Sequence, residues 1–251
     1  MDAVLSLNNI SKSYGPIQAL KNVSFEVPPG TVFGILGPNG SGKTTLLSII
    51  LDVLKANNGN FLWFGHAGSP EQRKRIGSLL ETPNFYHYLS AVDNLKITQS
   101  ISKRGNLQDI DIALKKVNLF ERRKSRFSTF SLGMKQRLAI AAALLGSPKV
   151  LVLDEPTNGL DPVGIAEIRN LIVELKNNGH TIIMASHRMS SPCSSSRTSC
   201  CCSSSSPLPY EPQAEDLLAQ ADQNYAESLQ DRWLQCDRRA RHPQQVRAIQ
   251  V

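Results

Sequence analysis

Apolar residues in the first third of the chain follow the short periods that are typical of β-strands. Residues 4–10 and 23–27 alternate apolar and polar positions, as a half-buried strand does. Residues 31–36 form a nearly continuous apolar run, and residues 59–65 and 76–81 are again strand-like. This pattern predicts a β-rich subdomain beside a more deeply buried strand.

The apolar spacing of the other segments is helical, with a period near 3.6. Helices are predicted over residues 46–54, 92–101, 110–117, 132–145 and 165–175. Two apolar runs, residues 150–153 and 181–185, predict buried strands next to the last helices. Strands and helices that alternate in this way favour an α/β fold whose parallel sheet binds its ligand at the carboxyl ends of the strands.

A phosphate-binding motif follows the apolar run at residues 31–36. It matches the pattern G-x-x-x-x-G-K-[ST] through Gly37, Pro38, Asn39, Gly40, Ser41, Gly42, Lys43 and Thr44. Glycines let backbone N–H groups converge on a phosphate, and the amino end of the next helix adds the positive end of its dipole. The Lys43 ammonium is expected to reach the β- and γ-phosphate oxygens, and the Thr44 hydroxyl to bind Mg²⁺. The alternative is a plain glycine-rich turn before a helix.

Two carboxylates, Asp154 and Glu155, follow the predicted strand at residues 150–153. A carboxylate at a strand end, with the phosphate loop on the neighbouring strand end, is where Mg²⁺ is held, so Asp154 is the candidate metal ligand, acting through water. Glu155 is the candidate base that orients or deprotonates the water attacking the γ-phosphate. The alternative is an acidic pair that caps the next helix.

Composition and charge narrow the classes of protein to consider. The chain has 251 residues and is 41% hydrophobic, which is enough for a sizeable core. No apolar run reaches the roughly 18 residues of a membrane span, and the first residues do not form a basic-then-apolar leader, so we expect a soluble, intracellular protein. The net charge of +7 would suit nucleic acid or an anionic membrane. Because no basic patch is interleaved with aromatic residues, no nucleic-acid partner is expected.

Three further segments complete a recognisable set of motifs. They are FSLGMKQR at residues 130–137, LDEPTNGLD at residues 153–161, and Ser186-His187. With these motifs in the family's order, residues 1 to about 187 closely resemble the ATP-binding subunit of an ABC transporter, in particular its export and immunity subfamilies. The resemblance implies a P-loop NTPase-type parallel sheet core with an antiparallel β subdomain and a helical subdomain. It also implies an ATPase whose ligands are ATP and Mg²⁺.

The resemblance assigns roles to residues that the spacing alone does not single out. Tyr14 would stack on adenine, although a tyrosine in a turn is the alternative. Thr45 would join the phosphate loop in binding the nucleotide. Glu81 stands where the family usually has a glutamine that touches Mg²⁺ and couples to the membrane partner. His187 would sense the γ-phosphate and act with Lys43 and Glu155 in catalysis.

The resemblance also implies a composite site between two copies of the chain. Ser131 and Gly133 belong to the family's signature segment, in which Leu132 and Met134 here replace a glycine and a glutamine. The facing copy would bring Ser131, Gly133 and the following helix to the nucleotide, so that ATP holds a homodimer together. We therefore expect a homodimer of ATP-binding subunits that works with an integral membrane permease and lies at the inner face of the cell membrane.

The composition changes abruptly after His187. All five cysteines lie at or beyond Cys193, every lysine lies at or before Lys176, and residues 190–206 are mostly Ser and Cys. The family continues here with a helix and further strands. We therefore expect an ATP-binding domain over residues 1–187 that lacks its final strands, and an atypical tail over residues 188–251 that is disordered or partly helical around residues 214–239.

Three interpretations of this tail stay open. A zinc site is disfavoured because the adjacent cysteines at 200–202 lack the usual C-x₂₋₄-C spacing. A flexible linker could end in a partner-binding helix. A shifted reading frame is favoured by the loss of lysine and the gain of Ser, Cys and Arg. Missing strands would leave an unpaired sheet edge, which promotes aggregation and could impair activity.

Three functions fit these observations. The first is an ATPase subunit that energises a separate permease, most in keeping with an exporter. The second is a soluble ABC-type ATPase that acts on ribosomes or DNA, but such proteins carry two ATP domains or a long inserted coiled coil, which this sequence does not show. The third is a non-functional product of a damaged gene. The motifs favour the first.

Overall fold

The computed structural model describes residues 3–80, 85–187 and 246–250. The strands are β1 (Leu5–Tyr14), β2 (Ile17–Val27), β3 (Val32–Leu36), β4 (Asn58–Trp63), β5 (His66–Ala67), β6 (Ile76–Leu79), β7 (Val150–Asp154), β8 (Thr181–Ser186) and β9 (Val246–Gln250). The helices are α1 (Lys43–Ile50), α2 (Pro70–Lys74), α3 (Ala91–Ser102), α4 (Leu107–Lys116), α5 (Leu132–Leu144) and α6 (Pro162–Asn177). Short 3₁₀ turns lie at Phe120–Arg122 and Phe127–Thr129.

The first strands form the antiparallel sheet that the alternating pattern predicts. The strand order is β2-β1-β4-β5, and the β1–β2 hairpin turns at Gly15, whose φ of +58° suits glycine. Leu5 pairs with Val27 on one side and with Trp63 on the other, and all three side chains are buried. One face of this sheet therefore packs against the rest of the domain.

The second sheet is parallel, with the strand order β6-β7-β8-β3-β9. Residues of β3 and β8 run in register, from Val32 opposite Ile182 to Leu36 opposite Ser186. The carboxyl ends of β3, β7 and β8 consequently meet at one edge of the sheet. The sequence places the two carboxylates on the strand next to the phosphate loop. In the structure β8, the strand that ends just before His187, lies between β7 and β3 at the centre of the sheet.

Helices and the antiparallel sheet cover the parallel sheet on opposite faces. On β7, Val150 and Val152 face the core that contains α1 and the antiparallel sheet, whereas Leu151 and Leu153 face the core formed by α3 to α6. All five residues of β7 are buried. The α/β fold class with an antiparallel β subdomain and a helical subdomain is thus confirmed.

One edge of the parallel sheet is formed by a strand from the segment after residue 187. Val246–Gln250 pairs in parallel with β3, so that Val32 lies opposite Val246 and Leu36 opposite Gln250. Within the described residues, β3 is therefore not an edge strand of the parallel sheet, and five residues carry too little periodic signal to predict such a strand from the sequence. Residues 188–245, including the helix predicted around 214–239, lie outside the described residues.

Helix α1 is shorter than the apolar pattern predicts. It ends at Ile50 rather than at residue 54, and the chain turns at Asp52, whose φ is +59°. The indole N–H of Trp63 donates to the carbonyl oxygen of Ile50 at 2.6 Å. A buried hydrogen bond from the neighbouring sheet therefore satisfies one of the last carbonyl groups of the helix.

Candidate active site

Residues 37–42 form the loop that connects β3 to α1. Gly40 and Gly42 have φ values of +85° and +94°, in the region that favours glycine. A Cβ added to Gly42 would lie 2.4 Å from the backbone oxygen of Ala19 on β2. The loop therefore packs directly against the antiparallel sheet, and at residue 42 only glycine fits this approach.

The Lys43 side chain is buried, with 6% of its surface exposed. Its ammonium donates hydrogen bonds to the carbonyl oxygens of Gly37 and Pro38, both at 2.8 Å. The same Nζ atom lies 3.7 Å from Oε1 of Glu155. Lys43 thus closes the loop onto its own first residues and brings the positive charge beside the end of β7.

The second contact of the loop is a hydrogen bond between Thr44 and Asp154. The Thr44 hydroxyl donates to Oδ2 of Asp154 at 2.6 Å. Asp154 is the last residue of β7, where it pairs with Ala185 of β8, and it is buried. Two of the three predicted magnesium ligands, Thr44 and Asp154, therefore lie together; the third, Glu81, is outside the described residues.

Glu155 adopts an uncommon backbone conformation at the end of β7. Its φ is +45°, a region that non-glycine residues rarely occupy. Its N–H donates to the carbonyl oxygen of Ala185 at 3.0 Å, and its own carbonyl oxygen accepts from the N–H of Asn158 at 3.0 Å. These two bonds fix the direction in which the Glu155 carboxylate leaves the strand.

His187 follows the last residue of β8 and lies beside that carboxylate. Its Nδ1 atom is 2.8 Å from Oε2 of Glu155, while Oε1 faces Lys43. Each of these three side chains is at least four-fifths buried. A carboxylate held between two basic side chains is thus the centre of the cluster formed by Lys43, Thr44, Asp154, Glu155 and His187, which we call the strand-end cluster.

The alternative interpretation of the acidic pair does not fit helix α6. The amino end of α6 is capped by Asp161, whose side chain accepts a hydrogen bond from the N–H of Gly164 at 3.0 Å. Asp154 and Glu155 therefore contact the phosphate loop and β8, not the start of the next helix.

The signature segment lies on a separate element, the amino end of α5. The Ser131 hydroxyl oxygen accepts a hydrogen bond from the N–H of Met134 at 3.2 Å and so caps the helix. A Cβ added to Gly133 would meet nothing within 4 Å. Leu132 is half exposed, and its side chain lies 3.3 Å from the position that a Cβ on Gly159 would take. This surface is accessible to another molecule.

Tyr14 is at the end of β1 and is 49% exposed. The ammonium of Lys12 lies 5.4 Å from the centre of its ring. In the phosphate loop, the hydroxyl oxygen of Ser41 is buried and has no hydrogen-bond partner among the described residues. Asn39 and Thr45 belong to the same loop and helix start, and Glu81 lies outside the described residues.

Comparison with known proteins decides the family. The profile of the ABC transporter family matches residues 20–158. The chain belongs to the ABC transporter family. Its relatives include the lantibiotic transport ATP-binding protein SrtF of Streptococcus pyogenes, which is 42% identical over 187 residues, or 74% of this chain and 81% of SrtF. Domains of this family bind and hydrolyse ATP, and this chain is one of them.

Other members of the ABC transporter family give the same result. The bacitracin transport ATP-binding protein BcrA of Enterococcus faecalis is 39% identical over 194 residues, which are 76% of this chain and 63% of BcrA. Among solved structures, cbiO1 of Clostridium perfringens, part of the ABC transporter complex cbiONQ, is 31% identical with a TM-score of 0.68, over 75% of this chain and 80% of cbiO1. These relatives favour a transporter subunit over a soluble ABC-type ATPase.

The donor atoms of the strand-end cluster suit Mg²⁺. Thr44 and Asp154 supply a hydroxyl and a carboxylate, the hard oxygen ligands that this ion takes beside phosphate and water. Within residues 3–80, 85–187 and 246–250, three or more His, Cys, Asp and Glu side chains do not gather into a metal site. None of the helices in these ranges is long and apolar enough to cross a membrane.

Proposed function

We propose that this chain is the ATPase subunit of an antibiotic transporter, that it binds Mg²⁺ with ATP at the strand-end cluster, and that it works as a homodimer on a separate membrane permease. One observation carries the proposal. The loop after β3 and the carboxyl ends of β7 and β8 bring a lysine, a hydroxyl, two carboxylates and a histidine together in a chain of the ABC transporter family: the Thr44 hydroxyl is 2.6 Å from Asp154, and Glu155 lies 2.8 Å from His187 and 3.7 Å from Lys43.

Lys43 and the loop bind the phosphates in this proposal. The ammonium exchanges its bonds to the carbonyl oxygens of Gly37 and Pro38 for bonds to the β- and γ-phosphate oxygens. Backbone N–H groups between Gly40 and Thr45 and the amino end of α1 supply the remaining positive potential. The Ser41 hydroxyl would donate to the same anion; its oxygen is buried and has no partner among the described residues, which supports this role.

Thr44 and Asp154 hold Mg²⁺. The Thr44 hydroxyl oxygen already lies 2.6 Å from Oδ2 of Asp154, and Asp154 is buried at the end of its strand. When bound, the ion neutralises negative charge on the phosphate oxygens and orients them for attack. Glu81 is proposed as a further contact on the strength of the family resemblance alone.

Glu155 acts as the general base, and His187 keeps it in place. The fixed backbone at residue 155 and the 2.8 Å approach of His187 hold the carboxylate in one direction, so that a water beside the γ-phosphate can transfer a proton to it. Lys43 lies on the other carboxylate oxygen and links the base to the phosphate-binding group.

A second copy supplies the rest of the site. Ser131 and Gly133 lie at the exposed amino end of a 13-residue helix, where the dipole favours an anion. Tyr14, half exposed at the end of β1, offers a ring face to adenine. Because ATP would contact both copies only in the closed dimer, the nucleotide shifts the equilibrium towards closure and release follows hydrolysis.

The permease and its cargo are proposed from the relatives. SrtF and BcrA are named as transport ATP-binding proteins for a lantibiotic and for bacitracin, so we propose a permease that carries an antibiotic of this kind. The subunit would then lie at the inner face of the cell membrane. Tyr86 and Tyr88, an exposed aromatic pair whose ring centres are 5.9 Å apart, form a surface suited to a protein partner.

The test compares two lysine variants. Lys43→Ala is expected to lose nucleotide binding and phosphate release, whereas Lys96→Ala, an exposed lysine paired with Asp93 on α3, should behave as the unchanged chain does.

Light scattering of Glu155→Gln at saturating ATP and Mg²⁺ should show dimers, and membrane extracts should yield a permease bound to the chain. Nucleotide affinity that survives Lys43→Ala would overturn the assigned site; monomers at saturating ATP would overturn the composite site.

A further inference from the structure

We infer that the last few residues of this chain, Val246–Gln250, are a positioning strand for the phosphate loop. They form β9, which pairs in parallel with β3 over the full length of that strand. The strand β3 leads directly into the loop, and Leu36, its last residue, pairs with Gln250 one residue before Gly37. The inference goes beyond the proposed transporter function and rests on nucleotide binding at the phosphate loop.

The sheet order explains why this pairing matters for the site. With β9 in place, β3 is flanked by β8 on one side and β9 on the other. Without β9, β3 would be the edge of the sheet, and the N–H and C=O groups on its free side would lose their ladder partners. Edge strands fray more readily than central ones, so the first residues of the loop would lose a fixed support.

Functional groups need support of this kind because small displacements matter. The carbonyl groups of Gly37 and Pro38, which hold Lys43, follow β3 without an intervening element. A site keeps its productive geometry only when the residues behind it are fixed by their own hydrogen bonds and packing. The β9 ladder supplies that support from the side opposite β8, which already carries His187 after its last residue.

The chain connectivity allows β9 to belong to the same molecule. Strand β8 ends at Ser186, and β9 begins at Val246 on the far side of β3. A parallel crossover needs roughly a dozen residues, and the segment between these strands is several times longer. We therefore assign the strand to the same copy, and a strand exchanged between two copies is an outcome that the experiment must separate.

The experiment measures hydrogen exchange in β3 together with nucleotide affinity. Removal of residues 246–251 should abolish the protection of those β3 amides that point towards β9, which are alternate residues of the strand, while the amides that bond β8 stay protected. It should also raise the Kd for ATP by about tenfold, the effect of one or two net backbone hydrogen bonds. Removal of Val251 alone is the matched control and should change neither. If the β3 amides that point towards β9 keep their protection without residues 246–251, the inference is overturned, whether or not the chain hydrolyses ATP.

Proline substitutions test the same ladder in a chain of full length, in case the shortened chain fails to fold. In a parallel edge strand, neighbouring residues direct their N–H groups alternately towards the sheet and away from it. Of Ala248→Pro and Ile249→Pro, one should therefore deprotect β3 and weaken ATP binding, and the other should have little effect. Equal, unchanged protection in both variants overturns the inference. If the amides of β3 are protected only at protein concentrations at which the chain forms dimers without nucleotide, β9 comes from a second copy. That result overturns the assignment of β9 to the same copy.

Discussion

Glu155 and His187 meet across the end of the parallel sheet, with 2.8 Å between Oε2 of the carboxylate and Nδ1 of the imidazole. They come from adjacent strands, β7 and β8, and the N–H of Glu155 is also bonded to Ala185 of β8. The backbone at Glu155 therefore sets the direction of the carboxylate. Each carboxylate oxygen faces one basic side chain, Oε1 that of Lys43 and Oε2 that of His187. This arrangement leads to the first prediction.

Glu155→Gln should abolish turnover and leave ATP binding intact. The amide has nearly the same shape as the carboxylate but cannot accept a proton, and a positioned base contributes roughly 10² to 10⁴ to a rate. Phosphate release should fall by about that factor, while the Kd for ATP measured by equilibrium binding should stay within about threefold of the unchanged chain. Glu167→Gln, an exposed carboxylate on α6 near Arg137, serves as the control. Loss of both binding and turnover would contradict the role of Glu155 as base.

Thr44→Val should impair metal binding specifically. The change removes the hydroxyl that bonds Asp154 at 2.6 Å but keeps the branched shape of the side chain. The metal affinity is measured by electron paramagnetic resonance with Mn²⁺ in place of Mg²⁺ and with ATP present. It should fall by roughly tenfold or more, as with other changes around a metal.

Thr44→Ser is the matched control for this prediction. It keeps the hydroxyl and should retain most of the metal affinity, because the donor oxygen is the same. Equal loss in Thr44→Val and Thr44→Ser would mean that the methyl group, not the hydroxyl, matters, and would argue against Thr44 as a metal ligand.

Gly42→Ala should destabilise the protein more than Gly40→Ala. Both glycines have positive φ, so each substitution adds a backbone strain of about 1–3 kcal/mol. Only at Gly42 does the new Cβ also collide with the backbone of Ala19, at 2.4 Å; at Gly40 it would meet nothing within 4 Å. Urea unfolding without nucleotide should show the difference. Equal destabilisation would indicate that the loop does not pack on β2 as described.

Much of the fold follows from local pattern, because burial on one or both faces leaves a period in the sequence. The continuous apolar run of β7 and the alternating positions of β1 predicted a covered strand and a half-covered one, and both are found. Patterns fail where a contact distant in sequence decides the outcome. Helix α1 ends early at Ile50, where the chain turns at Asp52 and Trp63 of the other sheet bonds the last carbonyl, and the apolar spacing beyond it gives no sign of that.

The candidate site shows the same division. Motif spacing predicted that Lys43, Thr44, Asp154 and Glu155 lie close together, since strand ends in a parallel sheet converge by topology, and the structure brings these four side chains together. The spacing could not show the positive φ of Glu155, whose N–H bonds Ala185 of β8, because that conformation depends on how β8 inserts between β7 and β3. It also could not show the bonds of Lys43 to the carbonyl groups of its own loop, since these depend on the conformation of the loop and not on the motif spacing. It also gave no sign of β9, since strand pairing over two hundred residues depends on the whole sheet and not on local composition.

Tyr14→Ala should weaken the binding of ATP but not that of inorganic tripolyphosphate. The ring is half exposed at the end of β1, and base–aromatic stacking contributes roughly 1–3 kcal/mol, which corresponds to a five- to 150-fold rise in the Kd for ATP. Calorimetric titration with both ligands measures this. Tyr14→Phe keeps the ring and should bind both as the unchanged chain does. Equal weakening for both ligands would mean that Tyr14 supports the loop and does not contact adenine.

His180 should make the protein less stable as the solution becomes acidic. The side chain is buried before β8, and its Nδ1–H donates to the carbonyl oxygen of Pro148 at 2.8 Å. Burial lowers the pKa of His180 below its ordinary value of 6.5, and nearby Lys116 acts in the same direction against the opposing effect of the Pro148 hydrogen bond. The unfolded chain therefore takes up a proton before the folded one does, so the stability that neutral His180 provides is present above pH 6.5 and is lost as the pH falls through the lowered pKa.

Replacing His180 by Gln removes this titration and isolates its effect. Urea midpoints at about pH 7.5 and about pH 5.5 should differ less in His180→Gln than in the unchanged chain, although the variant is the less stable of the two at the higher pH because the fitted ring is gone. His66→Gln, at an exposed position on β5, is the control and should keep the full pH dependence. A pH dependence that His180→Gln leaves unchanged would show that the loss of stability in acid comes from other groups, and a variant that loses more stability in acid than the unchanged chain does would contradict the lowered pKa of His180.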